Sequence, residues 1–488
     1  MSRVSVYCGL AVALVFLITH WVVGFIPVGD GAGWDGSVYV QYIELLGQGK
    51  PIFGDPYRSI RMSGFLPLII AAHLGASKAL LIWLQAVLNA VMLSIGASLL
   101  HDVMIRLKVK QSVATLSIAI LACSWMFLCM PMFYPILSDH VALALACVCL
   151  WCWVRSYKWA IYILCAFCAW IMPGLFLIPL VLAALPHRSN DTAVIAPNNY
   201  KYSFVLFGVL AVPLTILLLQ TIYHVPLSAV ASHSASINGK TASVDMVLLS
   251  ACAMLVSLYL IIWLAVRVGL DPATWKSLSW SGLLIGGLFF VASATLMKLS
   301  FDWNTGFAGP PLLDYLLYQS LAVPFKPLVA HFISFGPVIL LAISACLSWA
   351  FGNRRSIPIG LLVVFLAFLP LLAFGSESRQ WIGVLPITLI IFAVADYTWR
   401  TRVWCLVVSA LVLAPAFWLK PSISIAAGTG LGFQTFQWQF YFGRQGPWMS
   451  LTTYQVGLIA LLAFVAVTVL MRMYSNRCSV QCRSTITN

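Results

Sequence analysis

The sequence predicts an all-α, polytopic membrane protein with about 13–14 transmembrane helices. Three observations carry this. Of 488 residues, 62% are hydrophobic and only 8% are charged. Many apolar segments reach the roughly 20 residues that a helix needs to cross the hydrocarbon, where backbone groups must pair within their own segment. The few charges gather in short loops between those segments. A β-barrel would need short alternating segments, and the chain has none.

Arg3 is followed by an apolar run to Val28. That run is too long for a signal-peptide core and lacks a small-residue cleavage site, so it reads as the first span, 5–28. Further spans are expected at 79–104, 112–133, 138–156, 158–172, 173–186, 201–223, 245–267, 279–299, 326–350, 356–375, 379–398, 402–419 and 453–472. Residues 158–186 are divided because Met172-Pro173-Gly174 is a strong helix breaker. The division puts His187, Arg188 and Lys201 on the side of the other basic loops. Inside loops then hold 17 of the 27 Lys and Arg with four acids, against ten bases and nine acids outside. This asymmetry orients both termini inside.

The chain reads as one membrane domain, 1–488, with a core at 1–200 and further helices at 201–488. The external loop 29–78 is the long one. Its stretch 36–47 spaces Val38, Tyr42, Leu45 and Leu46 as an amphipathic helix at the membrane surface. Phe65–Leu74 is a short apolar piece, re-entrant or interfacial. Loops 300–325 (Asp302, Trp303, Asn304, Asp314) and 420–452 (aromatic and amide-rich at 433–441, with Arg444 but no acid) are also external.

Several function classes are excluded. A net charge of +14 with no basic run speaks against a nucleic-acid face. Eleven of thirteen cysteines lie in apolar spans, as small hydrophobes rather than a disulfide framework. His20, His101 and His331 lie singly on apolar helices and read as packing residues. The chain has no H-E-x-x-H, no G-x-S-x-G elbow and no Walker loop.

Chemistry concentrates in the first external loop. Asp35, in Gly33-Trp34-Asp35-Gly36, can serve as a general base toward a hydroxyl, or simply cap the helix beginning near Gly36. Arg58 and Arg61, three apart, suit a phosphate, with Tyr57 beside them and Asp55 placed to orient either. Snorkelling to lipid headgroups is the alternative. Ser138 or Asp139 can cap the fourth span; Asp139 with His140 can also steer an acceptor or hold a divalent cation. Glu377-Ser378-Arg379 joins two spans as an ion pair or a phosphate contact.

In this order the elements resemble the GT-C superfamily of membrane glycosyltransferases: Trp-Asp-Gly at Asp35, an interfacial helix, Tyr57, Arg58 and Arg61 before Pro67. An acidic, Pro-containing element at 134–139 follows, then the basic turn Arg155–Lys158 and the break at Pro173. Glu377-Ser378-Arg379-Gln380 before Leu385-Pro386 closes the set. The likeness covers about the first 190 residues and 375–400. Asp35 lacks an acidic neighbour, and Met172 stands where many members carry Arg. The resemblance implies an inverting transfer of sugar from a polyprenyl phosphate to a glycan, lipid-linked or protein acceptor. Asp35 would be the base, and Arg58, Arg61 and Arg379 would hold the donor phosphate. Asp55, Tyr57, Asp139, His140 and Glu377 would support the site or bind the acceptor. The metal requirement stays open between none and a divalent cation. The expected location is a bacterial inner membrane, with the site on the periplasmic side. The alternatives are a lipid-linked sugar flippase or an O-antigen polymerase or ligase.

Overall fold

The computed structural model describes residues 1–52, 56–172, 174–187, 200–226, 228, 230, 244–300, 312–352, 357–418, 449 and 451–486. It is all-α, with no strand among the described residues. Helices of eight residues or more are α1 Arg3–Val23, α2 Trp34–Gly47, α3 Leu66–His73, α4 Lys78–Arg106, α5 Gln111–Ala122, α6 Trp125–Phe133 and α7 Ser138–Val154. Then come α8 Lys158–Phe167, α9 Leu177–Ala184, α10 Tyr200–His224, α11 Val244–Leu270, α12 Trp280–Ser300, α13 Leu312–Ala322 and α14 Lys326–Phe335. The last are α15 Val338–Ala350, α16 Ile359–Phe374, α17 Leu385–Val394, α18 Trp399–Leu413 and α19 Leu451–Ile486. Seven helices among the described residues are long and apolar enough to cross a membrane, or up to nine if each of two bent pairs is one span. Four shorter apolar helices accompany them. The protein is a polytopic helical membrane protein.

Two expected spans are bent. The 112–133 segment breaks by 43° between α5 and α6. The 326–350 segment folds back by 119° between α14 and α15. The second break falls at Gly336, whose φ of 91° a residue with a Cβ rarely adopts, followed by Pro337. The 158–186 segment is interrupted at its Pro-Gly pair: α8 ends at Phe167, a 3-10 turn carries the chain over Cys168–Trp170, and α-helix resumes at Leu177. The loops 224–244 and 420–452 fall largely outside the described residues; of 300–325 only 301–311 do, and beyond them the expected loop is instead helix α13, Leu312–Ala322, which carries Asp314.

Polar residues inside the bundle set the shape of the site end. α4 packs along α1 and α7. Its buried Asn89 donates to the carbonyls of Pro131 and Pro135, at 3.2 and 3.0 Å, and accepts from Gln85 at 2.7 Å. Pro135 has no N–H to offer the carbonyl of Pro131, four residues back near the end of α6. Asn89 therefore takes up carbonyls around the turn that joins α6 to α7. The Ile26 amide donates to the Phe133 carbonyl at 2.8 Å, bringing the chain after α1 to the same turn.

α2 forms where the surface helix is expected, but it is not simply laid on the bundle. Its buried residues are Gly36, Tyr39, Val40, Tyr42, Ile43 and Gly47, while Val38, Leu45 and Leu46 are only half-buried. It packs against α3, the short apolar piece that follows.

Candidate functional site

The site is built where α2, the segment 56–65, the start of α7 and the turn before α17 meet. Tyr134 organises the first contact. Its hydroxyl accepts from the Gly36 amide at 3.2 Å, and its ring stands edge-on to Trp34 at 6.5 Å. A Cβ on Gly33 would lie 2.4 Å from that ring, and Gly33 has φ of 74°. The glycines flanking Trp34-Asp35 thus admit the Tyr134 ring to the N-terminus of α2.

Asp35 does not cap its helix. α2 begins at Trp34 with Gly33 as the N-cap and no side-chain cap bond. The carboxylate instead accepts from Arg58 at Oδ1 and from Arg379 at Oδ2, each at 2.9 Å. Burial pushes its pKa up, but the guanidinium charges of Arg379 and Arg58 outweigh this and bring it down to about 2.

Arg379 is shared. Its Nε donates to Glu377 Oε1 at 2.7 Å while its other arm holds Asp35. Glu377 Oε2 accepts from the Tyr315 hydroxyl at 2.9 Å. Beneath this pair, Ser378 Oγ lies 2.9 Å from His331 Nδ1, and His331 Nε2 lies 3.0 Å from the Leu372 carbonyl. A carbonyl only accepts, so Nε2 carries the proton and Nδ1 accepts from Ser378. Gln319 accepts from both the Ser376 amide and hydroxyl, at 2.9 and 2.8 Å. These bonds anchor the turn that presents Arg379.

Arg58 and Arg61 diverge although they stand three apart. Arg58 points at Asp35, whereas Arg61 is buried and reaches the Tyr57 hydroxyl and Gln380 Oε1, the latter at 3.2 Å. Its guanidinium lies over the Tyr57 ring at 4.0 Å from the centroid. Tyr57 and Gln380 also bond to each other. Burial pushes the Tyr57 phenol pKa up, so its hydroxyl stays protonated.

Ser138, Asp139 and His140 are fully buried at the start of α7. Neither Ser138 nor Asp139 caps that helix; the N-cap is Leu137, with no side-chain cap bond. Ser138 Oγ, both Asp139 carboxylate oxygens and His140 Nδ1 have no hydrogen-bond partner among the described residues. His140 Nε2 lies 3.0 Å from the Tyr134 carbonyl and so carries that ring's proton. Asp139 is electrostatically coupled to Arg61 and Arg379. Three carboxylates (Asp35, Asp139, Glu377) thus meet three guanidiniums (Arg58, Arg61, Arg379).

Asp55 falls outside the described residues. Asp30, another carboxylate of the first loop, makes an exposed ion pair with Lys78 at 2.9 Å. Among the described residues no group of three or more His, Cys, Asp or Glu is arranged to hold a metal ion. Sequence reasoning overlooked Tyr315, Gln319 and the positioning role of His331. Gln380, next to Arg379, was the one visible signal.

Fold and site define a helical integral membrane protein with a cluster of arginines and carboxylates at one end of its bundle. Comparison with protein-family models, with curated proteins and with solved structures returned no match.

Proposed function

We propose that this protein is an inverting glycosyltransferase that moves a sugar from a polyprenyl-phosphate donor to a hydroxyl of a glycan, lipid-linked or protein acceptor. The observation that carries this reading is the clasp of Asp35 by Arg58 and Arg379. A carboxylate with a pKa near 2 is a poor proton acceptor. Two guanidiniums on one carboxylate, however, are already arranged to take a phosphate by paired donors.

The donor phosphate replaces Asp35 on one or both arginines. Exchanging one oxyanion for another on the same donors costs little. Asp35 then loses the charges that lowered its pKa and becomes basic enough to act. It takes the proton of the acceptor hydroxyl as that oxygen attacks the anomeric carbon. The bond from that carbon to the phosphate oxygen breaks, and polyprenyl phosphate leaves with the electron pair. Arg58 and Arg379 stabilise the growing charge on the leaving phosphate. Arg61, held by Tyr57 and Gln380, adds positive potential from beneath. A lipid donor suits a site at a bundle end, because its tail stays in the bilayer while its head meets Asp35.

The test is sugar transfer from synthetic polyprenyl-phosphate sugars by purified wild type and Asp35→Asn. Product formation by wild type and its loss in the variant support the reading. Movement of labelled donor across sealed vesicles with no new glycosidic bond would replace it with a flippase.

A further inference from the structure

At the far end of the bundle lies a second charged site that the reading above does not use. A cavity of about 640 Å³ is lined by Arg106, Lys108, Lys110, His187 and Arg402, with Asp396 as its one carboxylate among the described residues. α4 runs from Lys78, paired with Asp30 beside the first site, to Arg106 at the cavity. At 1.5 Å per residue its 29 residues separate the two ends by about 43 Å.

The cations divide into held and unheld ones. Arg402 is buried and donates to the carbonyls of Phe392, Ala393, Ala395 and Tyr397, closing the C-terminus of α17. Arg106 gives its Nε to Asp102 at 3.1 Å, where Arg155 and Trp151 also donate. Lys108 and Lys110 are exposed at the cavity, and neither ammonium has a hydrogen-bond partner among the described residues. Lys108 has φ of 62°, a conformation normally left to Gly or Asn, so a lysine stands there at a backbone cost. α5 starts between these lysines and the cavity wall at Ser112 and Val113, with no side-chain cap on its N-terminus. Its free amides and dipole add to the positive field.

We propose that this cavity binds the phosphate headgroup of an acidic phospholipid. The volume falls in the range of small-molecule sites, about 300–1,000 Å³, and exceeds what a single phosphate needs. Tyr397 and the half-exposed Trp399 also line it, as aromatic residues do at headgroup level. Basic pockets between helix ends on the positively charged face are where such headgroups bind. This inference is independent of the sugar-transfer reading.

The experiment is native mass spectrometry of the delipidated full chain, offered phosphatidylglycerol or phosphatidylcholine at equal mole ratios. Wild type is expected to retain phosphatidylglycerol and to release phosphatidylcholine. Lys108→Asn with Lys110→Gln is expected to lower phosphatidylglycerol retention by about fivefold per lysine, on the order of 25-fold together. Both lysines are exposed and Asn accepts positive φ, so the melting temperature should match wild type. Equal retention of both lipids, or undiminished retention in the double variant, overturns the proposal. Displacement of bound phosphatidylglycerol by millimolar inorganic phosphate also overturns it, by assigning the cavity to a soluble anion.

Discussion

Asp35 and Arg379 are 344 residues apart in the chain and 2.9 Å apart in the fold. This contact joins the first loop of the protein to the turn before α17. It also sets the protonation behaviour of the carboxylate on which the proposed chemistry depends.

Replacing Asp35 with Asn keeps the shape of the side chain and removes its charge and basicity. The expected outcome is a fall in kcat of about 10²- to 10⁴-fold, the usual contribution of a general base. Donor KM should hold or drop, because Arg58 and Arg379 no longer have an internal competitor. Steady-state kinetics that show unchanged kcat would dismiss Asp35 as the base.

Arg379 bridges Asp35 and Glu377 with two arms, which a lysine cannot do. Arg379→Lys should therefore raise donor KM and cost about 10- to 100-fold in kcat/KM. Arg379→Ala leaves the buried Glu377 without its cation and should lower stability by about 3 kcal/mol. Thermal melts of Arg379→Ala and of an Arg379→Ala, Glu377→Gln double variant check this, since the second should recover part of the loss.

The depressed pKa of Asp35 has a pH signature. Its folded value is about 2 against 3.8 for the free side chain, so its contribution to stability is present above about pH 4. That contribution fades as pH falls through 3.8 toward 2, because the unfolded chain then takes up the proton first. Its full size is about 2 kcal/mol, in the direction that favours the charged form. The melting-temperature gap between wild type and Asp35→Asn should shrink over that interval and be flat from pH 5 to 8. A gap that widens on acidification would contradict the assignment.

Gly33 and Gly49 separate steric from backbone cost. Both have positive φ, but a Cβ on Gly33 meets the Tyr134 ring while one on Gly49 meets nothing within 4 Å. Gly33→Ala should cost roughly 2–4 kcal/mol and displace Asp35, whereas Gly49→Ala should cost about 1 kcal/mol. Parallel denaturation and transfer assays report both effects. Equal losses would show that the Tyr134 contact does not constrain α2.

Asp139 is a buried carboxylate whose oxygens find no hydrogen-bond partner among the described residues. Asp139→Asn removes a charge that is costly to bury, so its melting temperature should not fall below wild type. If Asp139 contacts the acceptor, acceptor KM should rise about tenfold with donor KM little changed. A marked loss of stability instead would give Asp139 a structural role.

Much of the fold was legible because hydropathy is a local property. α1, α2 and α4 could be read from runs of apolar residues and their breakers. The 119° bend at Gly336-Pro337 was missed because both flanking stretches are apolar, and hydropathy averages across a turn. The site was half legible. Asp35, Arg58, Arg61, Glu377 and Arg379 stood out as charges in an apolar chain. Tyr315, Gln319 and His331 did not, since each is unremarkable in its own segment and gains meaning only from a distant partner. The capping readings of Asp35 and Asp139 failed because each helix starts two residues earlier than the acid requires.

By itself the sequence determined that this is a helical membrane protein and which few charged residues stand apart from its apolar spans. Lipid imposes those choices segment by segment, through the cost of exposing backbone and charge to hydrocarbon. Only the tertiary structure decided that Arg58 and Arg379 share Asp35, that Arg61 turns to Gln380, and that the Asp139 carboxylate finds no hydrogen-bond partner among the described residues. Pairing across hundreds of residues depends on buried Asn89 fixing the turn between α6 and α7 and on buried His331 fixing the turn before α17, and local pattern carries no record of that geometry.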